Sequence, residues 1–253
     1  MTSVSALSVS IAMAMAAGLV GCFAVMRRMS LAADAMAHVA LPGIGVALAF
    51  HVHPILGGMA MLLAGTLLIW SLERRTHIST ETIVGVVFSA ALAVGSMLAT
   101  GDELIEALLG TPGALATPEI AVGLVGAAAV IAFILTQRNR LVLALLSADI
   151  ARTAGIDVAR LDLFYLLAFA VTVGLGLRYL GVLLMGSLII IPAATAKLLA
   201  RNLSGMLGIA VAVAVLATVA GEYAAARLHR ATGPVIITIA AGLFFVGALA
   251  RRR

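Results

Sequence analysis

Residues 30–50 read Ser30-Leu-Ala-Ala-Asp34-Ala-Met-Ala-His38-Val-Ala-Leu-Pro42-Gly-Ile-Gly-Val-Ala-Leu-Ala-Phe50. The stretch is apolar, about as long as a bilayer core is thick, and it carries an aspartate and a histidine. Their i, i+4 spacing places both side chains on one face of a helix. Ionisable residues are expensive in hydrocarbon, so such a pair marks a site or a pathway. A carboxylate with an imidazole is also a ligand set suited to Mn²⁺, Fe²⁺ or Zn²⁺. Two ligands are too few to hold a transition metal, which takes about four or more; a symmetric dimer would supply two Asp34 and two His38 around one axis. Pro42 adds to the segment, because its missing N–H leaves the carbonyl of His38 without its helical donor. Helices broken beside polar side chains mark binding positions in transporters. The plainer alternative is a structural kink, with His38 hydrogen-bonded to a neighbouring helix.

The rest of the chain reads in the same terms. Hydrophobic residues make up 63% of the 253 and charged residues 11%, with a mean hydropathy of +1.20. A soluble domain carries about 25% charged residues, so the composition predicts an all-α, polytopic membrane bundle, one domain over residues 1–253. Spans are predicted at residues 5–26, 31–50, 55–72, 82–99, 118–136, 161–177, 180–197, 205–226 and 233–250, eight or nine helices in all. The abundant alanine and glycine suit helices that pack closely in lipid. Residues 101–117 are too short and too acidic to span, and are expected to lie at the surface or partly re-entrant. The apolar N-terminus has no basic stretch before it and reads as a first span, not as a cleaved signal peptide.

Net charge is +5. No basic stretch interleaves with aromatics on a soluble face, so nucleic acid is not an expected partner. The charges instead sort by side. Arg27, Arg28, Arg74, Arg75, the arginines of 138–160, Lys197, Arg201 and Arg251 to Arg253 all fall on one side of the nine-span arrangement. That side is expected to be cytoplasmic, with the N-terminus outside. Arg178, Arg227 and Arg230 are the exceptions. Cys22, the one cysteine, excludes an internal disulfide and a cysteine-cluster metal site.

The longest stretch on the basic side, residues 137–162, contains a short amphipathic helix. Ser147 is its expected N-cap and Gly155 its C′ residue, with Ile150 and Ala151 against one face and Asp149 and Arg152 elsewhere. Such a helix docks into a partner protein or lies on lipid headgroups. The single lysine, Lys197, follows Ala193-Ala194-Thr195-Ala196, around which no nucleotide-binding Gly-rich loop can be written. If transport is driven by ATP, a separate chain must carry the nucleotide, and this one is not expected to be an enzyme.

The remaining polar positions carry less. Pro192 would free the carbonyl of Leu188, among Gly181, Gly186, Ser187, Ala193, Ala194 and Thr195; packing or gating both fit. His51 and His53, next to Pro54, would line an inlet for a metal or be incidental loop residues. Glu222 must face protein or water, as a structural hydrogen bond or as a pathway lining.

Three separated motifs resemble the permeases of zinc/manganese/iron ABC importers. They are Ser30…Asp34-x-x-x-His38-x-x-Leu41-Pro42-Gly43, Ala154-Gly155-Ile156-Asp157, and the run from Leu180-Gly181 through Gly186 and Pro192 to Lys197. Residues 80–89 and Thr232-Gly233-Pro234 match in place, so the resemblance runs along essentially the whole chain. It implies a type II ABC importer-like fold and one half of a homodimeric pore. Asp34 and His38 would meet the ion in transit. A pair of ATPase subunits would dock at Asp149, Ala151, Ala154 and Gly155, and an extracytoplasmic metal-binding protein would deliver the ion. No cofactor is implied beyond the transported zinc, manganese or iron. The sequence departs from the family before the last loop, where Leu228-His229-Arg230-Ala231 replaces an Asp-x-Pro element. A permease for a metal chelate, or an ATP-independent carrier, would share the helical bulk.

Overall fold

The computed structural model describes residues 4–29, 31–76, 78–98 and 117–251. The expected surface segment 101–117 lies outside them, except for Thr117. Among the described residues the elements are all helices: α1 Val4–Met26, α2 Ala32–Ala49, α3 Pro54–Arg75, α4 Thr80–Leu98, α5 Thr117–Leu146, α6 Ala148–Thr153, α7 Val158–Leu180, α8 Val182–Leu199, α9 Leu203–Leu228 and α10 Thr232–Arg251. Nine are long and one, α6, is a short connector. Six carry apolar stretches long enough to cross a bilayer; α2, α4 and α8 are shorter.

The central pillar is α1, which packs against α5, α7, α8 and α9. Met13, Ala17, Val20, Cys22 and Phe23 are fully buried. Small residues make this possible. A Cβ on Gly21 would run into the carbonyl of Ile189 in α8, and one on Gly18 would lie 3.1 Å from the carbonyl oxygen of Ala210 in α9. A second group, α2 with α3 and α4, joins the pillar through α8 and α7. There Gly43 and Gly57 face each other so closely that a Cβ on either meets the other's carbonyl. Outward-facing positions are apolar, among them Leu67, Val86, Val125, Leu216 and Phe245, as a lipid-facing surface requires.

One end of the bundle is tied by bonds between helices. Arg27 pairs with Asp162 at 2.5 Å and lies over the Tyr165 ring at 4.5 Å. The Tyr165 hydroxyl donates to the Val20 carbonyl, and the Trp70 indole donates to the Ala159 carbonyl. These bonds bring the ends of α1 and α3 and the start of α7 to one side, as the arginine count requires. Among the exceptions, Arg178 pairs with Glu119 at 2.9 Å at the opposite end, and Arg227 lies against the ring of Tyr223. A paired arginine is no longer an unbalanced topological charge.

Two expectations need correcting. The span expected to stop near residue 136 continues as α5 to Leu146. Gln137-Arg138-Asn139-Arg140 contains no glycine or proline, and good helix formers carry the helix past the apolar core. The backbone stays helical through Pro42 in α2 and through Pro192 in α8. Finally, Ile150 and Ala151 do not share a face. Ala151 is fully buried while Ile150 is 58% exposed, because neighbouring residues point about 100° apart.

Candidate functional site

Asp34 lies in the first turn of α2 and His38 one turn on. Asp34 is exposed and His38 half-buried, on a face that the chain's own helices leave partly open. Two other helices wall it. Gly186 of α8 comes up beside Asp34, where an added Cβ would sit 3.5 Å from Oδ1. Phe88 of α4 stands edge-to-face against the His38 ring, with centroids 5.6 Å apart and planes at 84°. The site therefore draws on the three shortest of the long helices: α2 and α8 have 18 residues each and α4 has 19.

His38 bonds within its own helix and not to a neighbour. Its Nδ1 lies 2.9 Å from the backbone carbonyl oxygen of Asp34. A carbonyl can only accept, so Nδ1 carries the proton and donates it. That leaves the lone pair on Nε2, the atom a metal ion would use. Among the described residues nothing donates to the Asp34 carboxylate. The pair offers one anionic oxygen donor and one neutral nitrogen donor from a single helix face. Among the described residues no group of three His, Cys, Asp or Glu side chains is close enough to hold an ion.

The other sequence-predicted residues do not join this pair. His51, which adopts a left-handed conformation at φ 54°, and His53, which precedes α3, are exposed at the far end of α2. The thirteen-residue step from His38 puts His51 about 20 Å away along the helix. Glu222 lies in α9 near Ser10 of α1, and its Oε2 is buried with no hydrogen-bond partner among the described residues. Pro42 packs toward Gly95 of α4, whose added Cβ would lie 3.4 Å from the proline ring.

The short helix α6 forms at the basic end as its caps require. The Ser147 hydroxyl accepts from the Ile150 N–H, and Gly155 takes φ 78°. The Ile156 N–H donates to the Ala151 carbonyl and the Gly155 N–H to the Arg152 carbonyl, a Schellman closure. Asp149, Ala154 and Gly155 are exposed, whereas Ala151 is buried and anchors α6 to its own chain. Asp157 then caps α7, its carboxylate accepting from the Arg160 N–H.

Phe88 and Gly186 went unassigned to the site in the sequence reading. An aromatic or a glycine in an apolar helix looks like packing until the fold shows what it touches.

Residues 2–251 match the family described as ABC 3 transport family. The chain is 27% identical over 248 residues to the manganese transport system membrane protein MntC of Listeria monocytogenes, covering 96% of this chain and 89% of MntC. It is 27% identical over 239 residues to the high-affinity zinc uptake system membrane protein ZnuB of Haemophilus influenzae, covering 92% and 91%. Among solved structures, PsaBC from Streptococcus pneumoniae in complex with Fab superposes with a TM-score of 0.81 at 25% identity, over 96% of this chain and 89% of that one. With nearly every residue matched and the helical architecture shared, this multi-pass membrane protein belongs to the ABC 3 transport family.

Proposed function

We propose that the chain is the permease subunit of an ATP-driven importer of a divalent transition-metal ion, zinc or manganese. The observation that carries this reading is the geometry of α2. Asp34 and His38 share an open face, and the Asp34 carbonyl holds the His38 proton on Nδ1, so Nε2 is free to ligate. A carboxylate that is exposed on a single chain in the bilayer must meet water or protein. A second copy placed face to face would cover it and complete a four-ligand shell. The relatives named for manganese and for zinc support the cargo class. Asp plus His suits both ions, and affinity order alone does not choose between them.

The remaining parts follow the same logic. The chain acts as one permease domain over its full length. ATP is hydrolysed on separate subunits that dock at α6, where Asp149, Ile150 and Arg152 are exposed, and a binding protein delivers the ion on the far side. The metal is cargo and not a resident cofactor. The ion exchanges water for Asp34 and His38, and binding stays weak enough for release.

The test is ATP-dependent uptake of labelled Zn²⁺ and Mn²⁺ into vesicles holding this chain with its ATPase and binding protein. Asp34→Ala and His38→Ala are run beside the native chain. Loss of uptake in both, with ATPase docking retained, is the expected result. Native rates in both would remove the pair from the ion path and favour transport of a chelate. Uptake without the ATPase would favour an independent carrier.

A further inference from the structure

His38 is held at two places. Its Nδ1 is fixed by the Asp34 carbonyl at 2.9 Å, but a ring fixed at one atom still rocks about that bond. The second hold is the Phe88 ring, perpendicular to the imidazole at 84°. Such edge-to-face pairs are directional contacts between aromatic groups, beyond simple burial of area. Phe88 sits differently from its neighbour. Val87 packs against the buried core, whereas Phe88, about 100° further round α4, turns to α2 and stays half-exposed. Its ring stands at the wall of the site.

We propose that Phe88 is a positioning residue of the ion site, holding the His38 ring so that Nε2 faces the ion and keeping water from one side of it. This rests on Asp34 and His38 being ion ligands. Hydrogen-bonding groups that orient a ligating histidine typically change metal affinity about 10- to 100-fold when removed, and the low end of that scale is expected for the ring. The aromatic ring is the working part, so tyrosine or tryptophan should serve and an aliphatic side chain should not.

The experiment is direct titration of Zn²⁺ and of Mn²⁺ into the purified permease–ATPase complex without the binding protein, whose own affinity would mask the effect. Thermal unfolding of each variant is recorded alongside. Phe88→Leu is expected to weaken ion binding about 10-fold at an unchanged unfolding temperature, and Phe88→Tyr to bind as the native chain does. Native affinity in Phe88→Leu would overturn the proposal. So would weaker binding that comes with a lower unfolding temperature and is not restored by tyrosine, since the ring would then be packing. Asp34→Ala and His38→Ala in the same titration separate the two readings. Loss of binding in those, with Phe88→Leu unaffected, sinks only the role of Phe88. Native binding in those sinks the ligand assignment itself.

Discussion

The polar groups at the arginine-rich end of the bundle and those on the open face of α2 are built in opposite ways. At the first, Arg27 reaches across to Asp162 and the Tyr165 ring, while Tyr165 and Trp70 donate to the carbonyls of Val20 and Ala159 on other helices. On α2, His38 reaches only four residues back along its own helix, and the Asp34 carboxylate stays open. Groups that fasten helices take partners on other helices, because an unpaired polar atom in the bundle is costly. Groups that receive a passing ion keep a lone pair and a charge uncommitted. Stability should therefore follow the first set and transport the second.

The largest separation is expected from the ligands. Asp34→Asn and His38→Gln keep size and helix but lose the donor chemistry, and each should lower Zn²⁺ and Mn²⁺ uptake by at least about 100-fold. Their thermal unfolding should stay native; a marked drop would place the pair with the fasteners. The tied end should behave in reverse. Asp162→Ala leaves Arg27 buried without its counter-ion and should cost roughly 2 kcal/mol, below the range for fully buried pairs because Asp162 is partly exposed. Arg27→Met with Asp162→Leu should recover most of that, since apolar replacement of a buried pair is often neutral. Denaturant or thermal unfolding in detergent measures both, and a double variant no better than the single would break the assignment.

Two glycines sharpen the contrast. Gly43→Ala drives a methyl into the Gly57 carbonyl and should destabilise by about 1–3 kcal/mol or reduce the yield of folded protein. Gly186→Ala fits at ordinary contact distance, but lays its methyl beside Asp34 Oδ1. It should leave stability unchanged and lower uptake several-fold, read in the same vesicle assay. The smallest effect is expected at Gly155→Ala, where φ 78° disfavours a side chain by about 1 kcal/mol. ATP-driven turnover should fall modestly there while ion titration stays native; a change in ion affinity would tie α6 to the site directly.

What the sequence made legible follows from distance along the chain. The helices announce themselves through uninterrupted apolar runs, and Asp34 with His38 through a spacing of one turn. The caps of α6 were readable because Ser147 and Gly155 flank it locally. Partners far apart in the chain were not. The pairing of Arg178 with Glu119, the approach of Gly186 to Asp34 and the Phe88–His38 contact each need two helices to be placed first. The extra turns of α5 were missed because a change of polarity was taken for a change of structure.

The bond from His38 Nδ1 to the Asp34 carbonyl also bears on release. On the proposed reading, the bond pins the His38 ring to the turn that carries Asp34. Each chain would then contribute a half-socket built on one rigid element. The stroke of the cycle would lie in the gap between this face and whatever stands opposite it. The work of ATP would thus separate two preformed halves and leave each one intact.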